Sequence, residues 1–97
     1  MALTVEWKVE AEAQLDRTLH YYLTNYGSGA AGKLYRSIIE RLSILERYPE
    51  AGAPVTDHAA IRYARIKKSH YLYYTYDDSV LLVIGLFGMR QEENPYL

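Results

Sequence analysis

The chain has 97 residues, no cysteine and a formal net charge of -1 at pH 7. A sequence of this length predicts a single domain over residues 1–97, with a core that is shallow. The lack of cysteine excludes disulfides, thiolate chemistry and cysteine-ligated zinc, and it fits a reducing compartment. No apolar run is long enough to cross a membrane, and the first ten residues, MALTVEWKVE, lack the pattern of a signal peptide.

The chain begins with a predicted strand and a predicted helix. Residues 4–9 alternate apolar and polar side chains, which is typical of a half-buried strand that ends with Val9 on its apolar face. From Glu10 the apolar spacing changes to three and four residues, and this predicts an amphipathic helix. Its apolar stripe consists of Ala11, Leu15, Leu19, Tyr22, Leu23 and Tyr26.

A second helix follows after a very short connection. Gly27 is expected to end the first helix, and Ser28 is expected to cap the second one. The second helix is predicted over residues 30–48, because Pro49 prevents its continuation. Two helices joined by so short a turn must pack as an antiparallel hairpin.

The second half of the chain predicts a sheet. Residues 50–59 read as a loop that contains proline and glycine. Strands are predicted at residues 62–66, 70–76 and 79–86, and Asp77-Asp78 forms the turn of the last hairpin. The order β-α-α-β-β-β predicts the α+β class, with an N-terminal strand and a helical hairpin packed on a three-stranded antiparallel sheet.

A basic cluster begins at Arg62 and comprises Arg65, Lys67 and Lys68, with His70 beside it, all within nine residues. The candidate residues for contacts with a target or a nucleic acid are Arg62, Arg65, Lys67, Lys68, Tyr71 and Arg90. On a strand, Arg62 points to the face opposite Arg65 and Lys67. The alternative is an edge strand kept soluble by its charges, since lysine on an edge blocks unwanted pairing.

Aromatic and histidine residues give weaker signals. The chain has eleven tyrosines, and tyrosine beside arginine can stack on bases and hold phosphates. Packing between strands is sufficient to explain Tyr74 and Tyr76, which share a face with Leu72. The three histidines lack the spacing of metal ligands, so we expect no metal site and no cofactor. The sequence also has no P-loop, GxGxxG or GxSxG motif.

The predicted elements contain four distinctive sequence segments, which are, in chain order, LDRTLHYYL, LERYPEAG, IRYARIKKSHYLYYTYDD and LLVIGLFGMR. Together they resemble the ParE/RelE superfamily of bacterial toxins from type II toxin–antitoxin systems, over almost the whole chain. The sharper marks of the resemblance are Pro49, Gly52, Arg62, Tyr74 and Arg90. It implies a cytoplasmic toxin that arrests growth or stabilises a plasmid, with a ParD-like antitoxin as partner in a hetero-oligomer.

The superfamily implies two activities. RelE-like toxins are metal-independent endoribonucleases that cut mRNA on the ribosome, and on that branch the resemblance implies Arg62, Arg90 and Tyr96 as catalytic residues. Two further cationic positions of that branch fall at Ala64 and Tyr71, so the charge needed to stabilise a phosphorane is incomplete and no catalytic residue is firmly assigned.

ParE-like toxins share the fold but inhibit DNA gyrase by binding. The long helical hairpin and the YPEAG loop resemble this branch, although Phe87 stands where many of its members have histidine. We therefore expect a ParE-like gyrase inhibitor. The alternatives are a RelE-like mRNA interferase and a degenerate toxin that binds only its antitoxin.

The antitoxin is expected to contribute a disordered segment that folds on the toxin. This segment is expected to lie across the helical hairpin and the sheet and to contact exposed tyrosines. The residues predicted for this contact are Tyr22, Tyr26, Tyr35 and Tyr73.

Overall fold

The computed structural model describes residues 2–89 and 94–96, apart from the side chain of Ala59. Within these residues a helical hairpin covers one face of a sheet, so the predicted α+β class is confirmed. The elements in chain order are β1 (Thr4–Trp7), α1 (Val9–Tyr26), α2 (Ser28–Leu45), a 3-10 helix (Pro49–Ala51), β2 (Ala53–Val55), β3 (His58–Ile66), β4 (His70–Tyr76) and β5 (Val80–Gly88).

The sheet has five strands in the described part of the chain, in the order β1-β5-β4-β3-β2. The predicted three-stranded sheet is therefore wrong in strand number. The N-terminal strand joins the sheet by pairing in parallel with β5, where Trp7 lies opposite Val83. The other added strand, β2, lies in the predicted loop and pairs antiparallel with β3, with Ala53 opposite Tyr63. This pairing leaves the end of β3 beyond Tyr63 as an edge, so the interpretation of Arg65 as an edge charge stays open.

The boundary between β1 and α1 differs from the prediction. The strand ends at Trp7 rather than at Val9, because the Lys8 carbonyl already accepts the first helical hydrogen bond, from the Glu12 N–H at 2.9 Å. Val9 is the first helical residue and is 79% exposed, so its predicted place on the buried strand face is wrong. Acidic residues occupy the first turn of α1, as the helix dipole favours.

Gly27 alone connects the two helices. Its φ of +92° lies in the region that favours glycine, and its N–H donates to the Leu23 carbonyl at 3.2 Å. Ser28 is the first residue of α2 and its side chain makes no capping bond, so the predicted Ser28 cap is wrong. The second helix ends at Leu45, three residues before its predicted end, because the chain turns before it reaches Pro49.

The core lies between the helical hairpin and one face of the sheet, called here the helix-covered face. Its members that are at most 4% exposed are Ala11, Leu34, Ile38, Leu42, Leu45, Ile66, Leu72, Tyr74, Leu81, Val83 and Leu86. The predicted stripe of α1 reaches this core through Ala11, Leu15, Leu19 and Tyr22. Leu23 and Tyr26 are 50% and 61% exposed, so this end of the predicted stripe does not pack on the core.

A β-bulge aligns the last strand with this core. Tyr73 lies opposite Gly85, whereas Tyr74 lies opposite Val83, so the register shifts by one residue at Ile84. Because of this shift, both Val83 and Leu86 face the helices. A Cβ at Gly85 would lie 2.7 Å from the Phe87 ring, which explains why glycine occupies this position.

Candidate functional site

Arg62 and Tyr74 form a cross-strand pair that holds the loop before β2. The Tyr74 hydroxyl donates to the Pro49 carbonyl and accepts from the Gly52 N–H at 3.0 Å. The Arg62 guanidinium donates to the Gly52 carbonyl at 2.6 Å and to the Glu50 carbonyl at 3.1 Å. Burial raises the pKa of Tyr74, so its phenol stays protonated and keeps both bonds near neutral pH. Arg62 is thus occupied by the backbone of this loop, which is called here the PEAG loop (residues 49–52).

Glycine is required at the end of the PEAG loop. A Cβ on Gly52 would collide with the Tyr74 hydroxyl and lie 2.9 Å from the Tyr63 carbonyl. Four of the five sharper marks of the family resemblance are therefore parts of one contact in the structure, namely Pro49, Gly52, Arg62 and Tyr74. This contact supports the fold directly.

The opposite face of the sheet, called here the aromatic face, carries a second apolar cluster. Its members are Val55, Ile61, Tyr63, Tyr71, Tyr73, Ile84, Phe87 and Tyr96. The rings of Tyr73 and Tyr96 lie 4.3 Å apart and those of Tyr63 and Tyr71 lie 5.5 Å apart. Such ring pairs stabilise by about 0.5–1.5 kcal/mol beyond their area burial. No α-helix covers this face in the described part of the chain.

Residues 94–96 close part of the aromatic face. The Asn94 side chain donates to the Tyr73 hydroxyl at 3.0 Å, and its carbonyl oxygen accepts the Tyr96 N–H at 2.9 Å. Asn94 is 5% exposed and Tyr73 is 3% exposed. Burial raises the pKa of Tyr73, so the phenol of Tyr73 stays protonated at neutral pH.

The predicted basic cluster divides between two surfaces. Arg65 is exposed and lies opposite Tyr71 on the aromatic face. Arg62 and Arg65 therefore lie on opposite faces of β3, as predicted. Lys67 and Lys68 lie in the turn between β3 and β4, and Lys67 has φ +54°, which is uncommon for a residue other than glycine. This turn (residues 67–69) is called here the basic turn.

A groove lies between α1 and the ends of β4 and β5, and we call it the α1 groove. It has a volume of about 830 Å³ and is lined by Gln14, Arg17, Thr18, Tyr21, Tyr22, Lys68, Ser69, His70, Leu86, Gly88 and Met89. The groove is open because β1 ends at Trp7, opposite Val83. After Val83, no strand among the described residues pairs with the edge of β5 that faces away from β4. Gln14 accepts the N–H of Leu86 at 2.8 Å in place of such a strand.

His70 is a buried wall of the α1 groove. It is 7% exposed, its Nδ1 lies 2.7 Å from the Ser69 hydroxyl, and its ring lies 5.8 Å from that of Tyr22. Burial lowers the pKa of His70, because the charged imidazolium is poorly solvated there. His70 is thus a buried residue of β4.

The structure does not bring the predicted nuclease residues together. Arg62 lies on the helix-covered face, opposite Tyr74, whereas Tyr96 lies on the aromatic face. Ala64 is buried in the core, and Tyr71 lies on the aromatic face. The predicted Arg90 lies outside the described residues.

The four tyrosines predicted to contact an antitoxin do not share a surface. Tyr26 and Tyr35 are 61% and 45% exposed on the two helices, and Tyr22 is half-buried in the α1 groove. Tyr73 is buried on the other side of the sheet, so the expectation that it is exposed is wrong.

Several residues of these surfaces were not predicted. Gln14, Arg17, Thr18 and Tyr21 have the three- and four-residue spacing of one helix face, and this was the available signal for the α1 groove. Asn94 had no comparable signal, because its partner Tyr73 is 21 residues away. Within the described residues, no group of three or more His, Cys, Asp or Glu side chains could hold a metal ion. No helix in that part of the chain is long and apolar enough to cross a membrane.

Solved structures of bacterial toxins share this fold. The chromosomal ParDE TA system from P. aeruginosa matches with a TM-score of 0.75 and 15% identity, over 90% of this chain and 96% of the other. The YoeB/ParE toxin from Agrobacterium tumefaciens has a TM-score of 0.67 and 18% identity, over 89% and 98% of the two chains. The YoeB dimer from Staphylococcus aureus has a TM-score of 0.63 and 19% identity, over 88% and 94%. No curated protein sequence matches the chain.

The family follows from the sequence match. Residues 5–93 match the model of the ParE toxin of the type II toxin–antitoxin system parDE. The protein belongs to this family, which confirms the resemblance to the ParE/RelE superfamily that the four sequence segments indicated.

Proposed function

We propose that this protein arrests growth by binding DNA gyrase and that a cognate ParD-like antitoxin neutralises it. The observation that carries the proposal is the position of Arg62. Its guanidinium is bonded to the Gly52 and Glu50 carbonyls, on the face of the sheet opposite Tyr96. An arginine and a tyrosine on opposite faces cannot act on one phosphate, and this argues against the nuclease set of Arg62, Arg90 and Tyr96.

The chemistry of the aromatic face supports the same choice. Cleavage of a phosphodiester develops a doubly negative phosphorane, and preorganised cations are usually the largest catalytic contribution to its stability. Among the described residues of this face, Arg65 is the cation that pairs with the tyrosine cluster. Tyr73 is buried and its raised pKa keeps its phenol neutral, so it supplies packing area rather than charge.

The target-binding surface in this proposal is the basic turn with its neighbours. Lys67 and Lys68 are exposed at the tip of the β3–β4 hairpin, and Arg65 and Tyr71 form the second cross-strand pair behind it. Arg90 remains part of the prediction although it lies outside the described residues. Arg62 contributes indirectly in this scheme, by holding the PEAG loop. Clustered cations favour association with an acidic surface and act mainly on its rate and specificity.

Exposed apolar side chains on the hairpin support an antitoxin partner. Tyr21, Leu23 and Tyr26 are at least half exposed on α1, and Tyr35 and Ile39 are 45% and 44% exposed on α2. Contiguous exposed apolar surface commonly marks a protein–protein interface. We propose that the antitoxin covers Tyr22, Tyr26 and Tyr35 here, and that it reaches Tyr73 only by displacing residues 94–96.

The alternative is ribosome-dependent cleavage of mRNA. It is favoured by the stacking of Tyr96 on Tyr73 beside Tyr71, because stacked aromatic rings suit the splayed bases of single-stranded RNA. In this alternative Arg65 and Arg90 supply the charge, and Arg62 has a structural role only.

A gyrase assay tests the proposal. The purified chain, freed from its antitoxin, is added to gyrase, ATP and relaxed plasmid, and both supercoiling and trapped cleavage complexes are scored. We expect inhibition, and we expect the double variant Lys67→Glu/Lys68→Glu to weaken it at least about tenfold. Lys33→Glu/Arg47→Glu is the matched control, because it reverses the same number of charges at exposed positions outside the basic turn.

A parallel assay with programmed ribosomes addresses the alternative. Cleavage of mRNA by the wild-type chain, lost in Tyr96→Phe, together with unaffected gyrase would overturn the proposal. Growth arrest without either effect would point to another target, and a harmless chain that still binds its antitoxin would identify the degenerate alternative.

A further inference from the structure

The α1 groove has the charge of an anion-binding site. Arg17 lines it from the helix and Lys68 from the basic turn, whereas none of the described residues that line it is an aspartate or glutamate. The chain as a whole has a net charge of -1, so this is a local segregation of positive charge. The hydroxyls of Thr18 and Ser69 lie in the same lining and can donate to the oxygens of an anion.

The remaining walls of the groove suit a flat ring. Tyr21, Tyr22 and His70 contribute ring surfaces, and the planes of the two tyrosines are inclined at 65° with centroids 6.2 Å apart. Leu86 and Met89 add apolar surface. Burial lowers the pKa of His70, so its ring is neutral at physiological pH and available for stacking.

Taken together, we propose that the α1 groove binds a free nucleoside phosphate. Arg17 and Lys68 would hold the phosphates, and the base would lie against Tyr21 and Tyr22. The volume of about 830 Å³ lies within the range of about 300–1,000 Å³ that is usual for small-molecule sites, which combine apolar walls with a few polar groups. The inference does not depend on the proposed gyrase target, because it rests on the groove alone.

The first experiment is a calorimetric titration of the antitoxin-free chain with ADP, adenosine and inorganic pyrophosphate, which separates the contributions of the base and the phosphates. We expect ADP to bind with one-to-one stoichiometry and at least about tenfold more tightly than either part, because it engages both walls of the groove. In amide NMR spectra, we expect the ADP-induced shifts to concentrate at residues of the groove.

Variants locate the site. Arg17→Gln/Lys68→Gln should weaken ADP binding at least about tenfold, because both cations that face the phosphates are lost. Lys33→Gln/Arg47→Gln removes the same charge from exposed positions outside the groove and should leave the affinity unchanged. Tyr21→Ala, at a residue that is 55% exposed, should weaken ADP binding without unfolding the chain.

Four outcomes would overturn the inference. They are no ADP binding at millimolar concentration, equal losses in the groove and control variants, equal binding of ADP and pyrophosphate, and equal binding of ADP and adenosine. A fourth probe in the titration is a 5′-phosphorylated tetranucleotide. Tighter binding of this probe than of ADP would assign the groove to the end of a nucleic acid strand and would also reject the free nucleotide.

Discussion

The two faces of the sheet are both apolar, but they are closed in different ways. The helix-covered face is filled by side chains that are at most 4% exposed beneath two long helices. The aromatic face is closed by phenol rings and by residues 94–96, which Asn94 fastens through one hydrogen bond to Tyr73. The helix-covered face therefore supplies most of the stability. On the aromatic face, a binding partner can replace residues 94–96.

The largest effect is expected on the helix-covered face. Leu72 is fully buried, so Leu72→Ala leaves a cavity and should lower the free energy of unfolding by about 3 kcal/mol. Leu23→Ala removes the same atoms from a side chain that is 50% exposed and should cost less than about 1 kcal/mol. Urea unfolding of both variants checks this comparison, and equal losses would contradict the assignment of the core.

The hydroxyl of Tyr74 is the polar element of the same face. Tyr74→Phe leaves the Gly52 N–H and the Pro49 carbonyl without their partner, and we expect a loss of about 2–3 kcal/mol in the free energy of unfolding. Tyr76→Phe is the matched control, since Tyr76 is 39% exposed, and it should change stability by less than about 0.5 kcal/mol. A tolerated Tyr74→Phe would show that the PEAG loop is held by Arg62 alone.

The corresponding change on the aromatic face should be milder. Tyr73→Phe removes the acceptor of the Asn94 side chain, and we expect a cost of about 1 kcal/mol. Because residues 94–96 lose their hydrogen bond to the sheet, proteolysis near the C-terminus should become faster. Amide exchange in the core of the helix-covered face should remain slow. Uniformly faster exchange would mean that the two faces unfold as one unit.

The smallest expected effect is the pH dependence that His70 introduces. Its folded pKa lies below the ordinary value of 6.5, so protonation favours the unfolded chain. The stability it supports is complete above pH 6.5 and declines as the pH falls from 6.5 towards the folded pKa. Arg17 and Lys68 are the charged side chains among the described residues that line the same groove.

Two histidine variants isolate this contribution. His70→Gln should flatten the decrease in unfolding free energy between pH 7 and pH 5, whereas His20→Gln, at an exposed position of α1, should leave the slope as it is. Urea unfolding at several pH values provides the measurement. An unchanged slope in His70→Gln would assign the pH dependence to other groups.

The site was only partly predictable from the sequence. The sequence shows the positive charges of Arg65, Lys67 and Lys68. It does not show that Arg65 lies on the aromatic face and the two lysines in the basic turn, because that depends on where β3 ends. Arg62 belonged to the same run, yet its partners are the carbonyls of a loop ten and twelve residues earlier. The α1 groove was missed because Arg17 and Lys68 lie 51 positions apart in the sequence and meet only when α1 packs beside β4 and β5.

The sequence by itself determined the periodic elements, because apolar spacing, Gly27, Pro49 and the Asp77 turn act over a few residues. Tertiary structure decided what short-range patterns cannot encode. The parallel pairing of β1 with β5 joins residues 76 apart, and the three residues of β2 are too few to show a period. Tyr73 and Tyr26 both lie in apolar sequence patterns, so the pattern alone does not distinguish them. Tyr73 is buried because the sheet and residues 94–96 cover it, whereas Tyr26 is exposed because no such cover lies over it.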